Sequence, residues 1–284
     1  MKKSKKIVVI GGGASGLVAA ITAARNGADV IVLEHKEKVG KKILATGNGR
    51  CNFTNEYMET NCFRGEDVER IDAVLKKFGT KETLHFFDEL GVFPKSRNGY
   101  YYPKSNQAAA ILDVLNMELK RQQVEIVCNS HVTKAEKTKQ FKVTSSTGTY
   151  MADAVILAAG GKASAVLGSD GSGYSLAKMF GHTISPVVPA LVQLRGNGTF
   201  FKQISGVRTD AKISLYVDDK LLGEDTGEVQ FTDYGLSGIP VFQISRFAAL
   251  ALYQKKTPKV RVDFFPEFTG EELTLFFEKR IRQN

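Results

Sequence analysis

Three glycines and one acid carry the first chemistry in this sequence. Gly11, Gly13 and Gly16 form a GxGxxG run directly after the apolar stretch Ile7–Ile10, and Glu34 closes a second apolar stretch, Ala28–Leu33. Gly11 permits a tight strand-to-helix turn, Gly13 lets the backbone approach a pyrophosphate, and Gly16 lets the helix pack closely on the strand. Ala14 and Ser15 open an Ala-rich segment that reads as a helix to Asn26. Its first N–H groups and positive dipole end suit an anion. Glu34 lies 23 residues past Gly11, close to the spacing of about 20 expected of an acid that accepts hydrogen bonds from ribose hydroxyls. An acid there disfavours a 2′-phosphate, so NADP is not expected at this site, and FAD and NAD both remain. A glycine-rich turn without a ligand is the plain alternative; the complete strand–helix–strand context argues against it.

The elements that must position these residues fit an ordinary globular chain. Its 284 residues suit about two domains, and 43% hydrophobic and 24% charged residues are typical values. No run approaches the roughly 18 apolar residues of a membrane span. Met1–Lys6 begins like a signal peptide, but Ile7–Ile10 is too short for its apolar region, so a cytoplasmic protein with no membrane partner is expected. Cys51, Cys62 and Cys128 are too few for a disulfide framework and lack metal-ligand spacing, so no metal is expected. Cys128 reads as a small buried hydrophobe. The net charge of +9 fits either a solvated basic surface or attraction to a polyanion such as RNA, and no RNA-binding motif accompanies it.

Along the chain, residues 35–55 are too rich in glycine and polar groups for a regular element. They are expected to form a loop around the cofactor, with Lys42, Thr46, Gly47, Gly49, Arg50, Cys51 and Asn52 close to it. Residues 66–91 read as two short helices, the second capped by Thr80, with His85 at the core or its boundary. An Asn98-Gly99 turn marks a hairpin over 97–103, and Ser105 is placed to cap a helix running to Gln122. Val124–Cys128 reads as a buried strand, followed by a meander over His131–Ala135, Phe141–Ser145 and Thr149–Ala152, and then by a buried strand at Ala154–Gly161. A plain NAD-binding Rossmann domain does not use such a meander before a strand ending in glycines; two-dinucleotide-binding flavoproteins do, which favours FAD. Ala159 and Gly160 would then pass close to the cofactor, and Val132 would contact the adenine through its backbone. Residues 168–182 offer a second glycine-rich contact, with Asp170 equally readable as an Asx turn. Short strands follow at Val187–Leu194, Ala211–Val217, Leu221–Gly223 and Glu228–Thr232. Then come a loop between Gly235 and Gly238, a helix over Pro240–Tyr253, a strand at Val260–Phe264 and a helix from Glu271. The expected organisation is an FAD-binding Rossmann-like domain over 1–187 and an inserted β-rich domain over 188–284 that ends in the start of a helical segment.

The blocks IGGGASGLVAA, KKILATGNGRCNFTN, AAGGKASAVLGSDGSGYSLAKMFGH and FTDYGLSGIPVF resemble the BaiN/RdsA-type FAD-dependent oxidoreductases, which include aminoacetone-oxidase-like flavoproteins. The resemblance runs from about Ile7 to Phe264. It implies an α/β fold with a two-dinucleotide-binding-type FAD domain and an inserted β-barrel-like domain. It also implies that Glu34 holds the adenosine ribose and that Thr46–Asn52 lies by the flavin and pyrophosphate. Activities in the family include amine oxidation, reduction of conjugated C=C bonds in steroid-like acids and reduction of uridine in ribosomal RNA. Two departures stand out. Asp233 occupies a position where family members often carry His. Nothing after Phe264 resembles the family's closing strand and Gly-Gly-Tyr-Asn-type loop, which leads to the expectation of a truncated chain that retains FAD poorly.

The function expected is therefore an FAD-dependent oxidoreductase acting on a conjugated C=C bond, with the basic surface tilting the substrate toward uridine in ribosomal RNA. Amine oxidation, reduction of a steroid-like enone, and a non-catalytic nucleotide- or RNA-binding role are the alternatives. Either a reduced nicotinamide, NAD(P)H, or the substrate itself is expected to reduce the flavin, with the second partner reoxidising it. Arg50 and the Gly47–Asn52 backbone would stabilise charge on the reduced flavin or the pyrophosphate. No residue is assigned as acid or base, Tyr102 being the nearest to one, and oligomeric state is left open.

Overall fold

The computed structural model describes residues 4–65 and 67–283; the start of the basic Met1–Lys6 segment, Glu66 and Asn284 lie outside that description. The chain divides into two compact units, Met1–Ile184 and Ser185–Asn284.

The first unit begins with Lys6–Ile10 (β1), Ala14–Arg25 (α1) and Asp29–Leu33 (β2). Strands covered on both faces read as continuous apolar runs rather than alternating ones, and that is the case here. Val9, Val30 and Val32 pack with Leu17, Ala20 and Ile21 of α1, while Val8, Ile10 and Leu33 belong to the core on the opposite face. The next elements are Lys41–Ala45 (α2), a 3-10 turn at Thr46–Gly49, Thr54–Asn55 (β3), Val68–Leu75 (α3) and Thr80–Glu89 (α4). The loop expected over 35–55 is thus helical at its centre. Ile43, 4% exposed, anchors α2 in the core, and that burial outweighs the glycine-rich composition around it. α3 buries none of its residues. Gly79, not Thr80, precedes α4: its N–H donates to Glu82 Oε2 at 2.9 Å, and Thr80 Oγ1 donates to the Asn55 carbonyl at 2.5 Å. His85 is exposed rather than in the core and lies 3.3 Å from Glu89.

The unit continues with Pro94–Arg97 (β4), Tyr100–Pro103 (β5), Ala108–Arg121 (α5) and Glu125–Val127 (β6). Asn98 and Gly99, with φ of +52° and +80°, make the type I′ turn that matches the twist of a hairpin. α5 starts after Gln107 rather than at Ser105, whose hydroxyl accepts from the Gln107 N–H at 3.4 Å. Then come the meander Val132–Lys137 (β7), Phe141–Ser145 (β8) and Gly148–Ala152 (β9), the strand Ala154–Leu157 (β10) and Ser172–Met179 (α6). The parallel sheet has the order β10-β1-β2-β6. β6 is therefore an edge strand, and its residues are exposed or half-buried rather than buried. The helices α1 and α5 cover one face and the meander and α6 the other. A small antiparallel sheet, β3-β5-β4, carries the hairpin.

The second unit contains Leu194–Arg195 (β11), Arg208–Val217 (β12), Lys220–Thr232 (β13), Gly235–Ser237 (β14), Ile239–Tyr253 (α7), Pro258–Asp263 (β15) and Gly270–Gln283 (α8). Its antiparallel sheet runs β11-β14-β13-β12-β15, an open half-barrel. Ala211, Ile213 and Leu215 alternate along β12 and pack with Val229, Phe231 and the α7 residues Val241, Ile244 and Ala248. Three expectations change here. Of the stretch 187–194 only Leu194 pairs as a strand, in the short Leu194–Arg195, β13 is continuous across the two separate strands expected, and Gly235–Ser237 is a strand rather than a loop. A Cβ on Gly235 would run into the Leu194 carbonyl, so this glycine marks close strand approach instead of a break. Among the described residues, no helix is long and apolar enough to cross a membrane, and no group of three or more His, Cys, Asp or Glu could hold a metal ion.

Candidate functional site

β1 lies between β2 and β10, so the strand order turns back beside it. In open α/β sheets a crevice forms at such a point, outside the carboxyl ends of the strands. Gly11 closes the turn after β1. Its N–H donates to the Leu33 carbonyl at 2.8 Å, its φ is +107°, and a Cβ there would lie 2.5 Å from the Ala158 carbonyl oxygen. A Cβ on Gly16 would strike the Gly11 carbonyl, so that glycine sets the close approach of α1 to the turn. Gly13 differs from both: its φ is −80°, and a Cβ would meet nothing within 4 Å. The space before it is open, and the backbone of Gly13 lines the cavity described below. No side chain caps α1 and no acid sits in its first turn. The donors at its start are thus left for an anion.

Glu34 ties this turn to the end of β2. It is 7% exposed, its Oε2 accepts from the Gly12 N–H at 2.7 Å, and its Oε1 accepts from the Lys36 N–H at 2.8 Å. The His35 ring nitrogen Nδ1 lies 3.4 Å from the same carboxylate. Each carboxylate oxygen has further lone-pair capacity, and Glu34 lines a cavity of about 590 Å³, a volume within the range of small-molecule and cofactor sites.

That cavity brings together Gly11, Gly13, Ala14, Ser15, Glu34, Lys42, Thr46, Cys51, Asn52, Val132, Ala159 and Gly160. The short helix α2 delivers Lys42, whose ammonium donates to the Ala163 carbonyl at 2.9 Å and to Ser169 Oγ at 2.7 Å. Among the described residues no carboxylate pairs with it, so its charge remains available at the cavity wall. Gly160 adopts a φ of +76° and leaves room for Ser169, whose Oγ would lie 2.8 Å from a Cβ there. Thr46 Oγ1 donates to the Ile43 carbonyl at 2.6 Å. The Cys51 thiol is pushed up by burial, with a hydrogen bond to Thr46 opposing the shift, so it is a protonated wall group rather than a thiolate nucleophile. Asp170 accepts from the Ser172 N–H at 2.9 Å, the Asx turn, and hydrogen bonds from Ser172 hold its carboxyl below the usual range.

Gly16, Gly47, Gly49 and Arg50 do not line this cavity. Gly16 supports the turn from beneath. Gly47 and Gly49 adopt φ of +54° and +80°, which is how they bend the 46–52 segment. Arg50 points elsewhere: its Nε donates to the Gly47 carbonyl at 3.2 Å, its guanidinium lies 5.6 Å from the Tyr102 ring centroid, and both residues line a separate pocket. Arg50, expected beside the cofactor, is thus outside the lining of the large cavity. Residues that sequence reasoning missed include His35, Ser130 and His131, with the two imidazoles 6.0 Å apart edge to face. Their nearness to Glu34 and Val132 in sequence was a usable signal. The aromatic wall had none, because Phe53 and Phe78 join the α4 residues Phe86 and Phe87 from separate parts of the chain.

The glycine cradle and the uncapped helix supply donors and the buried acid supplies acceptors, a set that fits a dinucleotide such as FAD. The HI0933-like protein Rossmann domain family matches residues 5–270. A 3-dehydro-bile acid delta(4,6)-reductase from Clostridium scindens is 55% identical over 279 residues, 97% of this chain and 68% of that protein. A ribosomal RNA dihydrouridine synthase from Haemophilus influenzae is 26% identical over 280 residues, 96% of this chain and 67% of that protein. The chain thus spans about two thirds of the length of these curated relatives. Among solved structures, the open conformation of a flavocytochrome c3 fumarate reductase aligns with a TM-score of 0.48 at 18% identity, over 74% of this chain and 47% of that one. With the family match over nearly its whole length and a relative at 55% identity, the chain belongs to the HI0933-like Rossmann family of FAD-dependent oxidoreductases.

Proposed function

We propose that this chain holds FAD in the cavity of about 590 Å³ and reduces a conjugated C=C bond in a steroid-like enone acid. The observation that carries the reading is the convergence of Gly11, Gly13, the uncapped α1 terminus and Glu34 on one cavity, in a chain 55% identical to a bile-acid reductase. When bound, FAD supplies two-electron redox chemistry between a nicotinamide donor, NAD(P)H, and the enone. The protein's part is position, electrostatics and exclusion of water. Backbone N–H groups at Gly13, Ala14 and Ser15 take the pyrophosphate, and the Glu34 carboxylate accepts from the ribose hydroxyls with its remaining lone pairs. Ser130 to Val132 flank the adenine, and Lys42, Thr46, Cys51 and Asn52 line the opposite wall, with Ala159 and Gly160 passing close by. Gly16, Gly47 and Gly49 act by shaping the backbone.

The test is reconstitution followed by an anaerobic assay. Added FAD should raise the melting temperature, as any ligand that binds only the folded state must, and FAD-loaded protein with NADH or NADPH should saturate the enone of a 3-oxo-Δ4,6 steroid acid. If FAD leaves the melting temperature unchanged, the cofactor assignment is wrong; if FAD binds but no enone is consumed, the substrate assignment is wrong. A second reading, reduction of uridine in RNA, draws on the +9 charge and the synthase at 26% identity. It requires RNA binding that weakens steeply with salt, together with dihydrouridine in the treated RNA.

A further inference from the structure

The residue that turned away from the large cavity, Arg50, is not idle. It lines a pocket of about 200 Å³ with Lys95, Arg97, Tyr102 and Asn106. Lys95 and Arg97 lie two apart on β4, so their side chains leave the same face of the strand. Tyr102 is the direct cross-strand partner of Lys95 and shares that face, and the Arg50 guanidinium lies 5.6 Å from its ring centroid. Among the described residues, no carboxylate forms an ion pair with Arg50, Lys95 or Arg97. Asn106, held at a φ of +55°, adds an amide donor to the same pocket.

Like charges gathered this closely without a counter-ion repel one another. Protection of an edge strand explains basic residues on β4, but it does not explain why Arg50 converges on them from a different segment. An anion does. The volume excludes a drug-sized ligand, which needs roughly 300 Å³ or more, and suits one oxyanion group. Two guanidiniums offer the planar donor forks that carboxylates accept. The 46–52 segment that supplies Arg50 also supplies Thr46, Cys51 and Asn52 to the large cavity, so both pockets are built on one stretch of chain.

We propose that Arg50, Lys95, Arg97, Tyr102 and Asn106 form an anchoring subsite for the carboxylate of a small-molecule substrate. The choice of carboxylate over phosphate rests on the enone-acid reading above; the oxyanion subsite itself rests on the three convergent cations.

The test is equilibrium binding to the FAD-loaded chain without electron donor, so that turnover plays no part. The probes are a 3-oxo-Δ4 steroid carboxylic acid and its methyl ester. The acid should bind about tenfold or more tightly than the ester, the size expected of charge-assisted hydrogen bonds at a half-open site. Lys95→Gln/Arg97→Gln should remove that difference and leave the affinity for the ester, the flavin spectrum and the melting temperature unchanged. Each single substitution should remove part of it, and Arg97→Lys should restore part of it relative to Arg97→Gln. Equal binding of acid and ester by the native chain, no binding of the acid, or parallel weakening of both probes in the variant would overturn the subsite. So would RNA oligonucleotide binding that the double variant abolishes while acid and ester remain equivalent, since the pocket would then read a phosphate backbone. Correct acid-over-ester selectivity without enone turnover would keep the subsite and defeat only the reaction assigned above.

Discussion

Two buried carboxylates of the same unit are treated in opposite ways. Glu118, on α5, is 5% exposed and saturated: Arg121 Nε donates at 2.6 Å, Arg25 Nε at 2.8 Å and Gln122 Nε2 at 3.0 Å. The hydrogen bond from Arg121 is the largest influence on it, and with those from Arg25 and Gln122 it outweighs desolvation and holds the carboxyl down at about 2. Glu34, 7% exposed at the cavity, receives two backbone N–H groups and only a histidine at 3.4 Å. One acid fastens α1 to α5. The other fastens a turn and still has acceptor capacity facing open space. A carboxylate saturated by protein donors is part of the scaffold; one that lines a cavity with lone pairs to spare can accept from a ligand as well.

The contrast can be broken most severely at the cradle. Gly13→Val adds bulk where the backbone meets nothing, at a φ any residue adopts. FAD affinity should fall about a hundredfold or more, while the melting temperature of the FAD-free protein stays close to native. A large loss of apo stability would show that Gly13 serves the fold. Glu118→Gln should reverse the pattern, losing on the order of 2–3 kcal/mol of stability in denaturant titration with little change in FAD affinity. Glu34→Gln should weaken FAD by about tenfold and cost about 1 kcal/mol of apo stability, because the amide keeps only one acceptor oxygen for the Gly12 and Lys36 N–H groups. Calorimetric titration with FAD and urea unfolding measure the two quantities separately.

The smallest effect is in pH. Glu118 has a folded value of about 2 against an ordinary value of 4.5, so its contribution is complete above the unfolded value and is lost as pH falls from about 5 toward 2. The stability difference between native protein and Glu118→Gln should therefore shrink across that window and be flat above it. A difference that persists at pH 2 would mean that Glu118 acts by packing rather than charge.

Much of the candidate site was legible in order along the chain. The GxGxxG turn, α1, β2 with Glu34, the meander and the strand ending at Ala158–Gly160 follow from local rules: continuous apolar runs, φ values only glycine adopts, and a fixed spacing from turn to acid. The second unit was less legible. Gly235 read as a breaker because its role, contact with the Leu194 carbonyl, involves a strand 41 positions away. Thr80 read as a cap, yet a long-range bond to the Asn55 carbonyl claims its hydroxyl.

The sequence by itself determined the glycine turn, the helix start and the acid that share one cavity, because those demands act within a strand, a turn and a helix. Only the tertiary structure decided where the charged side chains point. Arg50, placed by its neighbours beside the cofactor, turns onto Tyr102 and joins Lys95 and Arg97. Glu118, one polar residue among many on a helix, becomes a buried junction because Arg25 arrives from 93 residues away. Side-chain direction is set by sheet register and by which elements pack against one another, and neither is written in the local run of residues.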